Sequence, residues 1–367
     1  MSNPDLERNR PRFPRIIAAG ADYNHLVSIV QRCEGGEDWS KLWEEFGGMI
    51  ELLGDEALRE GGMVTAGELF AKAAVYFHTA QMTKHRDLPE KERLQRRQQD
   101  VYRKAMPYLQ PPVQPLVIPY KGSSFPGYLR LPLNARGPVP CVLMLAGLDS
   151  TKEELSGTEK IFLDRGMATC TFDGPGQSLT RIEFPLVANI EWSVSAVVDY
   201  LEKRKDLDAS RFGVWGRSVG GHMAPRAAAL EPRLKACVSL GGFFNSPWER
   251  FKEGSRQEFA MVTHAKSLDE AGKIAKNFTL DGLLHKLKVP LLVVHSQGDT
   301  VTSYHEAEQI AREAGGPVRL VLYPEGNHVC DNVAYKARPL MADWMALRTA
   351  AEAVLAFEQA EAAAAIV

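Results

Sequence analysis

The chain has 367 residues, of which 45% are hydrophobic and 25% charged, a balance that is typical of folded proteins and argues against disorder. Its 44 basic and 46 acidic side chains give a net charge of −2, which leaves no basic excess for general nucleic-acid binding. No apolar run reaches the roughly 18 residues of a membrane span, because glutamates interrupt even the Ala-rich segment 350–367. The N-terminus lacks the apolar stretch of a secretory signal, and the five cysteines are scattered without a CxxC pair. We therefore expect a cytoplasmic protein with no membrane or nucleic-acid partner and no zinc cluster.

Residues 1 to about 110 carry helical patterns only. Apolar residues recur at three- and four-residue spacings in 39–46 and 49–53, and again in the longer segment 64–81. These patterns predict an all-helical N-terminal domain over residues 1–110. It could be a bundle or paired helices used for protein contact, or a cap over a site elsewhere. Three aromatic residues, Phe70, Tyr76 and Phe77, could form either the wall of such a site or the core of the helical domain.

The pattern changes after prolines at 107, 111, 112 and 115, which mark a boundary. Beyond it, short apolar runs alternate with helical segments: 139–145, 167–172, 211–215, 236–240, 289–295 and 318–323. Strands that are apolar throughout and separated by helices predict a mostly parallel sheet with helices on both faces. Segments 116–120 and 127–131 predict an antiparallel hairpin at its edge. The second domain is thus an α/β domain over residues 111–367.

Ser218 lies in the motif Gly216-Arg-Ser-Val-Gly220, directly after an apolar strand and before a helix. This context predicts a sharp strand-to-helix turn that lifts the serine hydroxyl clear of the sheet as a nucleophile. The alternative is a glycine-rich turn with an incidental serine.

A serine nucleophile needs a base and an orienting acid, and both are expected in loops late in the chain. His328 follows the strand at 318–323, and Asp299 follows the strand before it. The order Ser218, Asp299, His328 is the one expected for such a fold. His222 and His295 are more typical of packed or buried histidines, and Asp173 and Asp331 are the rival acids.

The oxyanion formed by attack on a carbonyl needs two backbone donors. One is the N–H of Val219, the residue after the nucleophile. The other is expected in the loop after strand 139–145, where Leu148 follows Gly147. This loop lacks the His-Gly-Gly pattern of many esterases, which weakens a carboxylesterase assignment without removing the backbone donor.

The motifs GLDSTKEEL, FDGPGQS, GRSVGG, SQGD and PEGNH, in this order, resemble the α/β-hydrolase family from about residue 116 onward. The first two are similar to the branch in which a helical N-terminal segment covers the hydrolase core. That resemblance implies cleavage of the carbon–carbon bond beside the carbonyl of an aryl ketone from alkaloid breakdown, in which a dihydroxypyridine ring carries a methylaminobutyl chain. It also implies a homodimer. No metal or organic cofactor is expected, since the triad carries the chemistry and the sequence shows no ligand cluster.

The cationic end of such a substrate would suit a carboxylate or an aromatic face. Trp248 and Glu249 follow a strand of the sheet and are candidate substrate contacts, although a packing tryptophan and a surface glutamate are the plainer interpretation. Two other functions stay open: an esterase or amidase with the same triad, and a helical adaptor with a silent hydrolase core. The sequence does not decide between an acyl-enzyme and direct attack by water.

Overall fold

The computed structural model describes residues 4–350. Six helices occupy the N-terminal part: α1 (Pro4–Asn9), α2 (Phe13–Ala18), α3 (Tyr23–Glu34), α4 (Trp39–Arg59), α5 (Met63–Gln81) and α6 (Leu88–Ala105). The two apolar segments 39–46 and 49–53 belong to the single helix α4. Asp22, Asp38 and Asp87 precede α3, α4 and α6, and each side chain accepts a hydrogen bond from a backbone N–H of the first turn. These aspartates set where the three helices begin.

The N-terminal helices have a hydrophobic core of their own, which also includes Tyr128 of the neighbouring sheet. Phe70, Tyr76 and Phe77 are fully buried in this cluster, and Tyr76 packs edge-on against Trp43. Of the two roles open to them, the structure supports the core of the helical part.

Eight strands follow in one sheet: β1 (Gln114–Tyr120), β2 (Ser123–Arg130), β3 (Val139–Leu145), β4 (Ala168–Phe172), β5 (Leu207–Arg217), β6 (Leu234–Leu240), β7 (Leu291–Ser296) and β8 (Val318–Tyr323). Their order is β1-β2-β4-β3-β5-β6-β7-β8. The hairpin β1–β2 is antiparallel at the edge, β2 pairs antiparallel with β4, and the remaining pairs are parallel. The predicted fold class, an α/β-hydrolase sheet preceded by helices, is confirmed.

Seven helices complete the described chain: α7 (Ser156–Leu163), α8 (Glu191–Leu201), α9 (Val219–Leu230), α10 (Glu253–Val262), α11 (Leu268–Ala275), α12 (Tyr304–Glu313) and α13 (Ala334–Arg348). Two buried apolar clusters cover the two faces of the sheet, one of them centred on α8 and α9 and the other on α7 and α13. β3 is buried along its whole length. Because β3 to β8 run parallel, their carboxyl ends lie at one edge of the sheet, where loops can assemble a site. Within residues 4–350, no helix combines the length and apolar character that a membrane crossing requires.

Candidate active site

Ser218 lies in a strained turn between β5 and α9, with φ 56° and ψ −119°. A side chain at either flanking glycine would collide with backbone: a Cβ on Gly216 would come 1.9 Å from the Gly220 carbonyl oxygen, and one on Gly220 would come 2.1 Å from the Leu145 carbonyl oxygen. The sequence Gly-x-Ser-x-Gly is therefore required by the tight passage of the chain. The strain at Ser218 is of the kind that persists where surrounding structure holds a functional residue in place.

The structure brings Ser218, His328 and Asp299 into one hydrogen-bonded chain. The hydroxyl of Ser218 donates to His328 Nε2 at 2.9 Å, and His328 Nδ1 donates to Asp299 Oδ2 at 2.7 Å. This is the arrangement in which an imidazole takes a proton from a serine while a carboxylate holds the ring. The residues that follow His328, Val329 and Cys330, have left-handed backbone with φ of 55° and 56°. For a β-branched valine this conformation is unusual and marks a tightly held loop.

Asp299 is fixed by more than the histidine. Its Oδ1 accepts from the backbone N–H groups of Val301 and Thr302 at 2.7 and 3.0 Å, and its Oδ2 accepts from the Thr302 hydroxyl at 2.9 Å. Burial raises the pKa of this carboxyl, but the charge and hydrogen bond of His328 outweigh it and lower the pKa to about 2. Asp299 is consequently ionised throughout the range in which histidine titrates.

The other acids and histidines considered for the catalytic roles make different contacts. Asp173 binds the ammonium of Lys152 at 2.6 Å, and Asp331 accepts from Arg217 at 3.0 Å. His222 is buried and stacks on Phe243, and burial lowers its pKa to about 4. His295 is buried in β7 with its Nε2 3.0 Å from the Thr302 hydroxyl.

The loop after β3 packs directly on the turn that carries Ser218. A Cβ on Gly147 would lie 3.4 Å from the Cβ of Ser218, so the loop that carries Leu148 passes beside the nucleophile. Val219 begins α9, where the first backbone N–H groups have no acceptor within the helix. The two predicted oxyanion donors thus belong to segments in mutual contact beside the serine.

A residue that sequence reasoning missed, Arg15 of α2, holds this loop from the helical side. Its guanidinium donates to Asp149 at 2.8 Å, to the Ser150 hydroxyl at 3.0 Å and to both carboxylate oxygens of Glu154 at 2.6 and 2.8 Å. His78 of α5 lies 3.2 Å from the same Glu154 carboxylate. These neighbours hold the pKa of Glu154 well below its usual value against the effect of its burial.

Further contacts join the helices to the segment after Leu148. Gln98 donates to the Thr151 hydroxyl at 2.7 Å and Tyr102 to the Ser156 hydroxyl at 3.0 Å. The motif GLDSTKEEL is thus a buried polar segment whose partners come largely from the N-terminal helices. The only signal in the sequence was its density of charged residues between a buried strand and a helix.

A match to the model of the FrsA-like esterase family covers residues 15–323. The chain belongs to this family. The chain is 34% identical to a protein named 2,6-dihydropseudooxynicotine hydrolase from Paenarthrobacter nicotinovorans. The alignment spans 335 residues and covers 90% of each chain.

Two further comparisons also find hydrolases. The crystal structure of a 2,6-dihydroxy-pseudo-oxynicotine hydrolase superposes with a TM-score of 0.86 at 32% identity, covering 92% of this chain and 95% of that one. The hydrolyase poxO of Penicillium oxalicum is 34% identical over 228 residues, and this chain spans 53% of its length. The hydrogen-bonded serine, histidine and aspartate thus belong to a hydrolase of the α/β type.

Two candidate substrate contacts of this FrsA-like chain are not brought to the serine. The Glu249 side chain is 91% exposed, and its carboxylate lies 3.8 Å from Arg256. Trp248 packs edge-on against Phe251 and Phe259. Among residues 4–350, no hydrogen bond, ion pair or ring contact joins either one to Ser218 or His328. Their position after β6 was predicted correctly, but the outward direction of Glu249 and the packing of Trp248 give the substrate-contact interpretation no support.

Proposed function

We propose that this protein hydrolyses the carbon–carbon bond beside the ketone of 2,6-dihydroxypseudooxynicotine, releasing 2,6-dihydroxypyridine and 4-methylaminobutanoate. The observation that carries the proposal is the extent of the likeness to the nicotine-pathway hydrolase, which includes the N-terminal helices as well as the hydrolase core. The arrangement of Ser218, His328 and Asp299 supports a serine-type reaction.

In the proposed reaction, His328 Nε2 takes the proton of Ser218 while the serine oxygen attacks the ketone carbon. The resulting oxyanion is held by the backbone N–H groups of Leu148 and Val219, and losing one such donor typically costs about 3–4 kcal/mol of transition-state stabilisation. The bond to the ring carbon then breaks, and that carbon takes the proton from His328. Water, activated by the same histidine, releases the acid from Ser218.

We also propose that residues 1–110 form a cap and residues 111–367 the catalytic domain, and that the protein works as a cytoplasmic homodimer. The separate hydrophobic core of the helices and their contacts to the loop after β3 support the cap. The homodimer rests on the family resemblance alone and is tested by light scattering of the purified protein.

A carboxylesterase with the same residues is the second candidate, favoured by the description of the matching family as esterases. In ester hydrolysis, the bond that breaks joins the carbonyl carbon to an oxygen instead of to a ring carbon. The same loop carries the oxyanion donors in both reactions.

The deciding experiment is product analysis by mass spectrometry after incubation with the ketone and, separately, with a nitrophenyl ester. Release of 2,6-dihydroxypyridine by the wild type and its absence with Ser218→Ala supports carbon–carbon hydrolysis. Ester cleavage with an unchanged ketone supports the esterase. An acyl group on Ser218 in a rapidly quenched sample distinguishes serine attack from direct attack by water. Failure of a fluorophosphonate to label Ser218 would point to a silent core.

A further inference from the structure

Two buried polar side chains lie behind Asp299, the acid of the candidate triad. His295 of β7 is fully buried, and Thr302, which comes just before α12, is 1% exposed. The Thr302 hydroxyl lies 3.0 Å from His295 Nε2 and 2.9 Å from Asp299 Oδ2. Asp299 in turn binds His328, which binds Ser218. The five side chains form one hydrogen-bonded chain that continues the triad into the interior of the sheet.

The acceptors around Thr302 and His295 set the direction of this chain. The Thr302 hydroxyl has one hydrogen, and it donates to the ionised Asp299 at 2.9 Å because the Gly241 carbonyl is a weaker acceptor at 3.4 Å. The same hydroxyl can then accept from a proton on His295 Nε2. His295 Nδ1 accepts from the backbone N–H of Ser296 at 2.8 Å, which requires that this nitrogen carries no proton.

The other neutral form of the His295 ring does not fit these contacts. A proton on Nδ1 would face the N–H of Ser296, and Nε2 would then take the hydroxyl hydrogen away from Asp299. A doubly protonated ring would meet the same N–H, and burial lowers the pKa of His295. The ring is therefore neutral, with its proton on Nε2 and directed at Thr302.

Asp299 receives four hydrogen bonds from the described part of the chain, which matches the roughly four acceptor positions of a carboxylate. Oδ1 accepts from the backbone N–H groups of Val301 and Thr302, and Oδ2 accepts from the Thr302 hydroxyl and His328 Nδ1. His295, which holds the hydroxyl, belongs to a strand that pairs with β6 on one side and β8 on the other. The carboxylate is thus fixed to the rigid part of the sheet.

We propose that His295 and Thr302 are positioning residues of the serine reaction. They hold the Asp299 carboxylate in the orientation that aims the His328 ring at the nucleophile. This inference rests on the proposed function and deepens it. Because the His295 ring is neutral, it supplies a hydrogen bond without placing a positive charge beside Asp299. The charge of the carboxylate then stays available to the imidazolium that forms when His328 takes the serine proton.

Thr302→Val removes the hydroxyl and keeps the size of the side chain. The His295 N–H then loses its acceptor, while Asp299 Oδ2 lies 3.8 Å away. A buried donor without a partner is costly, so we expect it to draw this oxygen away from His328. The rate of the serine reaction should fall roughly 10-fold, and KM should change much less. Thr302→Ser keeps the hydroxyl and should stay within about threefold of wild type.

The test measures the rate at which a fluorophosphonate labels Ser218 in the full-length protein, because this reaction needs an activated serine but no particular substrate. Thr302→Val should slow labelling roughly 10-fold, and His295→Leu roughly 3- to 10-fold. His295→Gln keeps a side-chain N–H and should recover most of the loss. Since His295 acts through the hydroxyl, adding His295→Leu to Thr302→Val should slow labelling no further.

The matched control is Thr79→Val in α5. Thr79 is also buried, and its hydroxyl donates to the Val75 carbonyl at 2.8 Å, away from the triad. This variant should be labelled as fast as wild type, and thermal unfolding checks that each variant is folded. A second measurement needs no substrate: the proton NMR resonance of His328 Nδ1–H, assigned by its loss in His328→Gln. It should move in Thr302→Val and stay in place in Thr79→Val.

Equal labelling rates for Thr302→Val and wild type overturn the positioning role, whatever the ketone assay shows. Additive losses in the double variant also overturn it, because they would mean that His295 and Thr302 act separately. If wild type is not labelled, the proposed serine reaction fails, and the NMR resonance then decides the positioning role alone. A resonance that moves in Thr302→Val supports the hold on Asp299, and one that stays in place overturns it.

Discussion

Arg15 and Asp149 form an ion pair of 2.8 Å between α2 and the loop after β3, across 134 residues of sequence. Asp149 directly follows Leu148, so the pair fixes the backbone that carries a proposed oxyanion donor. The proposed cap would thereby support the geometry of the proposed reaction as well as cover the site.

Arg15→Lys is expected to lower kcat by roughly 10- to 100-fold and to change KM much less. A lysine cannot reproduce the forked contacts to Asp149 and Glu154, and a small displacement of a catalytic group is costly. Steady-state kinetics and the rate of fluorophosphonate labelling of Ser218 measure the effect. The control is Arg32→Lys, because Arg32 makes similar forked pairs with Glu37 and Glu45 on the surface of the helices. Equal kcat values in the two variants would exclude the positioning role.

Asp299→Asn is expected to reduce kcat by about 10⁴-fold, because an amide no longer holds the imidazole in the tautomer that accepts the serine proton. Kinetics at several pH values measures this loss. Asp331→Asn is the comparison, since Asp331 binds Arg217 instead of the histidine. A loss in Asp331→Asn as large as that in Asp299→Asn would contradict the assignment.

The lowered pKa of Asp299 also predicts a pH-dependent stability. The Asp299 carboxyl has a pKa of about 2 in the folded protein, whereas its ordinary pKa is 3.8. Its ionised form therefore stabilises the fold above about pH 4, and this stabilisation is lost as the pH falls through 2. The free energy of unfolding of wild type relative to Asp299→Asn should therefore fall by about 2 kcal/mol between roughly pH 5 and pH 2. Denaturant titrations at each pH provide the measurement. Ser218→Ala keeps the carboxylate and the histidine, so its free energy of unfolding should change with pH as that of wild type does. If the free-energy difference between wild type and Asp299→Asn does not change with pH, the predicted link between this pKa and stability is refuted.

Gly220→Ala should destabilise the protein by more than about 4 kcal/mol, because its Cβ would come 2.1 Å from a backbone carbonyl oxygen that cannot move away. Gly48 is the matched control, because it lies inside α4 at a position where an added methyl group would meet open space. Gly48→Ala should stabilise the protein by about 0.5–1 kcal/mol. Thermal unfolding of both variants gives the comparison, and a tolerated Gly220→Ala would contradict the geometry of the turn.

Deleting residues 1–110 should abolish turnover and leave a core that unfolds at a much lower temperature. The deletion removes the partners of Glu154 and Thr151 and leaves a buried carboxylate uncompensated. Circular dichroism and ketone turnover measure the two effects. A truncated protein with normal turnover would refute the role of the cap.

The sequence predicted the bounds of two strands to the residue. β3 and β8 begin and end where predicted, because each is a mostly apolar run bounded by turns, although only β3 is buried along its whole length. β5 begins four residues earlier than its apolar run, at Leu207, since a backbone ladder to Val139 extends it through polar residues. Side-chain patterns carry no signal for such pairing.

The proximity of Ser218, Asp299 and His328 was also predictable, because the carboxyl ends of parallel strands lie at one edge. Arg15 was not. Its position depends on how the helices dock on the sheet domain, and a contact across 134 residues leaves no local periodicity. For Glu249, the sequence predicted the position after β6, but it could not predict that the side chain points into solvent.

Helix α2, which carries Arg15, is itself held by the far end of the chain. Arg338 of α13 donates to the carbonyl of Ala18, the last residue of α2, across 320 residues. During synthesis, Asp149 becomes available to Arg15 well before Arg338 has been made. A growing chain that has passed Ser218 therefore carries its candidate nucleophile before the contact that supports α2 from behind can form.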